Sequence, residues 1–119
     1  MKERDLKLRT KRFALGVIEL FEVLPKDETS RVLGRQLLRA GTSVGANYRA
    51  AKRAKSNADF ISKMGNVEEE ADECGYWLEL LIEKGKVEAT KAAPLLRESE
   101  ELVAITVASI NTARKSGNW

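Results

Sequence analysis

The sequence predicts an all-α protein, a single up-down-up-down antiparallel four-helix bundle spanning residues 1–119. Apolar residues recur at steps of three and four, which is the period of one face of an α-helix. Pro25 and Gly85 interrupt these periodic stretches, as residues at helix ends do. The stretches are long and their connections are short, which favours antiparallel neighbours. The predicted helices span about 5–24, 28–54, 57–84 and 91–115.

The first predicted helix carries an apolar stripe through Phe13, Val17 and Leu20. The stripe is wider than one partner requires, as expected for a helix within a bundle. Pro25 ends this helix because the residue before a proline is pushed out of the α region.

The second predicted helix begins after Asp27, a good N-cap residue. Its apolar and small residues fall at 33, 37, 40, 44, 47 and 51, so Asn47 is predicted to lie on the buried face. Gly41 and Gly45 lower helix propensity by roughly 1 kcal/mol each relative to alanine. A helix that tolerates this loss usually gains close packing, which we expect here.

The last two predicted helices have recognisable ends. Ser56 is the expected N-cap of the third helix, and Gly85 supplies the left-handed residue that follows its last turn. Thr90 is the expected cap of the fourth helix, with Pro94 in its first turn, where backbone amides lack partners.

Charge is distributed unevenly, although the net charge is only +3. Residues 28–55 carry seven cations and one acid, whereas residues 56–84 carry two cations and eight acids. Two successive segments of opposite sign indicate helices that attract each other, a functional basic surface, or both.

Several functional classes are disfavoured. The chain has no histidine, so it lacks the usual general base and metal ligand, and we expect no enzymatic activity, metal site or cofactor. Its one cysteine, Cys74, cannot form an internal disulfide, which favours a cytoplasmic location. No apolar run approaches the ~20 residues that span a bilayer, so no membrane association is expected.

A polar layer is predicted between the second and third helices. In an antiparallel hairpin, positions that sum to about 111 lie level, which places Arg39 near Asp72 and Ser43 near Glu68. We expect this layer to fix the register of the two helices. Its predicted members are Arg39, Ser43 and Asn47, facing acids among Glu68, Glu69, Asp72 and Glu73.

The stretch QLLRAGTSVGANYRAAKRAKSNADF, residues 36–60, resembles the centre of a four-helix-bundle family first described as 23S ribosomal RNA intervening-sequence proteins. That centre reads roughly Q-L-x-R-A-x-x-S-[IV]-x-x-N-[IV]-A-E-G, followed by a basic turn and an acidic residue with Phe. The family's Glu-Gly pair is Ala50-Ala51 here, so a polar contact is expected to be missing or supplied by Glu69 or Glu73. The matching residues are Gln36, Leu37, Arg39, Ala40, Ser43, Val44, Asn47, Arg53, Ser56, Asp59 and Phe60.

The resemblance implies a four-helix bundle that assembles as a ring-shaped homopentamer. The family is similar to the accessory protein of diversity-generating retroelements, a basic pentameric barrel thought to bind nucleic acid and a reverse transcriptase. These properties are expectations that the resemblance carries.

The leading functional hypothesis is a nucleic-acid or ribonucleoprotein binding scaffold that contacts RNA or DNA phosphates. The candidate cations are Arg31, Arg35, Arg49, Lys52, Arg53 and Lys55, with Lys7, Arg9, Lys11 and Arg12 of the first helix. The alternative is a protein-interaction scaffold that recruits a partner protein, in which Arg31, Arg35 and Arg39 form structural ion pairs with third-helix acids.

Overall fold

Four helices make up almost all of residues 6–116, the part of the chain that the computed structural model describes. Helix α1 spans Leu6–Glu22, α2 spans Glu28–Ala51, α3 spans Asn57–Glu83 and α4 spans Ala89–Ser116. Consecutive helices pack side by side, and α4 returns to contact α1. The bundle measures 51 × 21 × 20 Å. The prediction of an all-α four-helix bundle is confirmed.

The helix ends follow from local capping chemistry. Asp27 Oδ1 accepts a hydrogen bond from the Ser30 amide at 2.9 Å, and Ser56 Oγ accepts one from the Asp59 amide at 3.1 Å. Gly85 follows α3 with a φ of 71°, in the left-handed region that favours glycine. These three predicted caps are confirmed.

Helix α2 ends at Ala51 rather than at residue 54. The amides of Arg53 and Ala54 bond to carbonyls three residues back, at 3.1 and 3.0 Å, so the chain tightens into turns. The connection to α3 therefore includes Lys52, Arg53 and Lys55, all of them exposed.

Helix α4 begins at Ala89, so Thr90 lies within the helix and is not its cap. The amides of Lys91 and Ala92 both bond to the Glu88 carbonyl, and the helix starts two residues earlier than the cap prediction implies. Pro94 accordingly lies beyond the first turn, at an exposed position.

The buried face of α2 differs from the predicted face. Tyr48 is only 7% exposed and lies in the core, whereas the neighbouring Asn47 is half-buried. The phenol ring buries more apolar surface than an amide could, so α2 turns this side inward. A Cβ atom on Gly41 would lie 2.8 Å from both Val17 methyl groups, which confirms that this glycine allows close packing.

No helix within residues 6–116 is both long and apolar enough to cross a membrane.

Candidate nucleic-acid interface

The antiparallel order of the helices gathers basic residues at one end of the bundle. The start of α1, the end of α2, the start of α3 and the end of α4 meet there. We define the basic end as residues 7–12, 45–66 and 105–116. Asp59 is its single acid. Its eleven cations are Lys7, Arg9, Lys11, Arg12, Arg49, Lys52, Arg53, Lys55, Lys63, Arg114 and Lys115.

The rest of the described chain has the opposite charge. We call residues 13–44 and 67–104 the acidic part; they contain fifteen acids and eight cations. The formal charge is thus +10 on the basic end and −7 on the acidic part, which add to the net +3 because residues 1–5 carry two charges of each sign. A basic patch on one face or end is the electrostatic footprint of proteins that bind polyanions.

Two cations of the basic end have acidic partners. Arg9 Nη2 lies 2.7 Å from Glu98 and 3.0 Å from Glu101, and the hydrogen bonds to Glu98 raise the pKa of Arg9. Lys63 Nζ lies 2.6 Å from Asp59, and this bond holds the pKa of the Asp59 carboxyl below its usual value. The other nine cations are exposed and make no salt bridge within residues 6–116.

A groove between α1 and α2 presents three of these unpaired cations. It has a volume of about 320 Å³ and is lined by Lys7, Lys11 and Arg49. Its remaining walls are small side chains, including Gly45 and Ala46, so the backbone of an extended ligand could approach closely.

The structure separates the predicted binding residues into two groups. Arg49 and the connection residues Lys52, Arg53 and Lys55 lie together at the basic end. Arg31 and Arg35 are exposed in the acidic part, and Arg31 Nη2 lies 3.3 Å from Glu28 of the same helix.

Three basic-end cations were not predicted as binding residues: Lys63, which is paired with Asp59, and Arg114 and Lys115 near the end of α4. The predicted antiparallel order of the helices could have identified the two α4 cations, because it brings the end of α4 beside the start of α3. Asn57 Nδ2 donates to the Ala113 carbonyl at 2.8 Å and joins these two elements.

The predicted polar layer is smaller than expected. Arg39 spans α2 and α3, with Nη1 3.3 Å from Glu70 and Nη2 bonded to Glu73, which raises the pKa of Arg39. The Ser43 hydroxyl donates to the Arg39 carbonyl at 2.7 Å, and Asn47 Nδ2 donates to the Ser43 carbonyl at 2.8 Å.

Ser43 and Asn47 therefore bond to carbonyls of their own helix and not to acids of α3, since they lie beside the buried face. Glu69 and Asp72 are exposed; of the two acids that bond Arg39, Glu73 was among those predicted and Glu70 was not. The charged contact across the two helices thus consists of Arg39 with Glu70 and Glu73.

Cys74 is fully buried, and burial raises the pKa of its thiol to about 12, with a further contribution from Glu70 and Glu73. A thiol protonated at neutral pH is a poor nucleophile. Within residues 6–116, no group of three or more histidine, cysteine or acidic side chains is arranged to hold a metal ion.

Comparison with known proteins identifies the family. The model of the 23S rRNA-intervening sequence protein family matches residues 2–108. A crystal structure from Bacteroides thetaiotaomicron, described as a protein of unknown function from the S23 ribosomal protein family, is 35% identical, with a TM-score of 0.83. The alignment covers 88% of this chain and 97% of that one. Comparison with curated proteins finds no significant match.

The family match covers most of the chain, and the structural match has the same four-helix fold. The sequence resemblance at residues 36–60 is thereby confirmed, and the chain belongs to the 23S rRNA-intervening sequence protein family.

Proposed function

We propose that this protein is a non-enzymatic scaffold that binds nucleic acid through its basic end. The observation that supports this proposal is the cluster of nine exposed cations on that end, which make no salt bridge within residues 6–116, against a single acid. Unpaired cations can exchange solvent counterions for phosphates, and counterion release dominates nucleic-acid affinity. The paired arginines Arg9, Arg31 and Arg39 would contribute less, because each already has a carboxylate partner.

The connection between α2 and α3 is the centre of the proposed interface. Lys52, Arg53 and Lys55 lie on it without salt-bridge partners among the described residues, and Arg49 precedes it on the last turn of α2. Each phosphate contact changes the slope of log affinity against log salt by about 0.7–0.9. A site that uses these four cations therefore has a strong salt dependence.

The test is RNA binding measured by fluorescence anisotropy between about 50 and 200 mM salt. Replacing Arg49, Lys52, Arg53 and Lys55 by alanine should lower the salt slope by about three and weaken binding strongly. The matched control replaces Arg31, Arg35, Lys84 and Lys91, four cations of the acidic part, and should leave affinity almost unchanged. Equal losses in both variants, or no binding at low salt, would refute the proposal.

We also propose that the scaffold is a cytoplasmic homopentamer, as the family resemblance implies. Half-exposed apolar side chains on α1, Leu8 and Leu15, lie seven residues apart on one side of the helix and support burial against another copy. Native mass spectrometry should give five times the 13.3 kDa chain mass, and a monomer at micromolar concentration would contradict this assembly.

The second candidate function is recruitment of a partner protein. A groove of about 400 Å³ between α3 and α4 favours it, because Asp72, Glu79 and Glu100 line the groove beside Tyr76, whose side chain is 55% exposed. Such a groove suits a basic segment with an apolar or aromatic anchor. Partner capture that depends on Tyr76 and persists after the four alanine substitutions at the basic end would favour this function over nucleic-acid binding.

A further inference from the structure

A pocket of about 450 Å³ opens at the basic end, where the α2–α3 connection meets the last turns of α4. Its volume lies within the range of about 300–1,000 Å³ that small-molecule sites occupy. The described residues that line it supply one aromatic ring, several small side chains and three hydroxyl groups. The lining residues that matter here are Lys52, Asn57, Phe60, Ser109, Thr112 and Ser116.

The carboxamide of Asn57 distinguishes this pocket from the other grooves. Asn57 is only 5% exposed, and its Nδ2 donates to the Ala113 carbonyl at 2.8 Å. Its Oδ1 is buried and has no hydrogen-bond partner within residues 6–116. Buried acceptors are nearly always paired, so an unpaired one on a residue that lines a pocket marks a candidate partner for a ligand donor.

The other walls match a flat heteroaromatic ligand. Phe60 offers the one aromatic side chain among the described lining residues, and Ala51 and Ala54 add small apolar surface. Lys52 also lines the pocket, so a negatively charged group attached to the ligand would meet a cation. Arg53 and Arg114, each next in sequence to a lining residue, are exposed and extend the positive surface outward.

A nucleobase linked to phosphates has these properties. Every base has an aromatic face and at least one N–H donor on its edge, and proteins that bind single strands use aromatic side chains as stacking surfaces. The base must be unpaired, because in a duplex its donor edge and both faces are occupied.

We propose that this pocket takes one unpaired nucleobase of a single-stranded nucleic acid, whose N–H edge donates to Asn57 Oδ1 while Phe60 contacts the ring. This inference rests on the proposed nucleic-acid function and adds to it: phosphate contacts alone would accept duplex and single strand alike, whereas the pocket selects single strands.

The test compares three fluorescent RNA probes of about twelve nucleotides: a single strand of mixed sequence, the same strand with abasic sites, and a duplex. The abasic strand keeps the phosphates and removes the bases. Wild-type protein should bind the intact single strand about tenfold more tightly than the abasic strand, a size typical of losing one stacked base.

A matched pair of variants locates the effect. Ser109→Leu with Thr112→Leu fills the pocket, whereas Ala108→Leu with Asn111→Leu makes similar changes one residue earlier on α4, outside the pocket lining. None of the four substitutions alters charge. The pocket variant should bind the intact strand as weakly as the abasic strand, and the control variant should behave like wild type. Thermal unfolding of both variants checks that they fold.

Three outcomes would overturn the proposal in distinguishable ways. Equal wild-type affinity for intact and abasic strands would refute the base pocket and leave phosphate binding at the basic end standing. A base preference that survives pocket filling would place base recognition elsewhere. No binding of any probe at about 50 mM salt would refute both the pocket and the proposed function. The comparison of probes on wild-type protein remains decisive if the pocket variant fails to fold.

Discussion

Two arginines of the acidic part and two of the basic end differ in whether they have a carboxylate partner. In the acidic part, Arg39 joins Glu70 and Glu73, and Arg31 joins Glu28, so these guanidinium groups have partners within the fold. At the basic end, Arg49 and Arg53 are exposed and make no salt bridge within the described residues. Exposed ion pairs contribute little to stability, whereas clustered unpaired cations repel each other. The difference supports the proposal that the basic end contacts an anionic partner.

The largest expected effect comes from charge reversal at the basic end. Lys7→Glu with Lys11→Glu changes two cations of the groove between α1 and α2. RNA affinity at about 50 mM salt should fall by about two orders of magnitude, because two phosphate contacts are replaced by repulsion. The control, Lys26→Glu with Lys91→Glu, reverses two exposed lysines of the acidic part. A similar loss in the control would show that net charge alone governs binding.

The next effect concerns the core that both regions share. Gly41→Ala should destabilise the bundle by about 1 kcal/mol, since a Cβ there would meet the Val17 side chain at 2.8 Å and overpacking outweighs the gain in helix propensity. Gly65→Ala should stabilise it by about 0.5–1 kcal/mol, because nothing lies within 4 Å of its Cβ position. Urea unfolding measures both changes. If the two stability changes have opposite signs and RNA affinity is unchanged, folding and binding depend on different residues. If Gly41→Ala stabilises the bundle as Gly65→Ala does, the close α1–α2 contact is contradicted.

A smaller effect separates two arginines on one helix. Arg9 is bonded to Glu98 and Glu101, whereas Arg12 is exposed and unpaired within the described chain. Arg9→Ala should cost about 1 kcal/mol of stability, and Arg12→Ala should change stability by less than about 0.5 kcal/mol. Arg12→Ala should weaken RNA binding more than Arg9→Ala does. If Arg12 affects stability as much as Arg9 does, the distinction between paired and unpaired cations fails.

The smallest effect is a pH dependence that involves one carboxylate in each region. A hydrogen bond from the Ser30 amide lowers the pKa of Asp27, and the bond to Lys63 lowers the pKa of Asp59. Both folded pKa values lie below the usual 3.8, so the two ionised carboxylates stabilise the fold at pH values above 3.8. This stabilisation is lost as the pH falls through the folded pKa. The melting temperature should therefore hold between about pH 7 and 5 and decline below about 4.

Asp59→Asn supplies the matched test. The variant should have a shallower acid decline in melting temperature, and it should bind RNA slightly more tightly because the only acid of the basic end has lost its charge. An unchanged acid decline would indicate that Asp59 has no stabilising role, and weaker RNA binding would contradict the electrostatic description of this end.

The local features of the fold could be predicted because they depend on near neighbours in the sequence. Asp27, Ser56 and Gly85 act within one helical turn, and all three were identified correctly. The end of α2 was harder to place, because Ala50 and Ala51 favour a helix and only the following turn ends it. Burial of Tyr48 in place of Asn47 depends on the rotation of α2 against its neighbours, which spacing alone leaves ambiguous by one position.

The candidate site was predictable only in part. Arg49, Lys52, Arg53 and Lys55 form a dense run, so a count along the chain found them. The cations of α4 were missed because residues 85–119 have almost balanced charge, and Arg114 and Lys115 matter only after folding places them beside the start of α3. Among the partners of Arg39, Glu73 was predicted but Glu70 was not, for a similar reason: the rotation of α3 decides which acids face α2.

The elongated shape gives the charge separation a directional consequence. A rod 51 Å long with a formal charge of +10 at one end and −7 over the remainder has an electric dipole along its axis. The field of a polyanion exerts a torque on such a rod, so the protein should approach end-on, before any specific contact forms. Its footprint is then the cross-section of about 20 Å, roughly six base-pair steps of a duplex at 3.4 Å each. Molecules that bind end-on have their long axes perpendicular to the polyanion, and the long sides of neighbouring bundles can still contact one another.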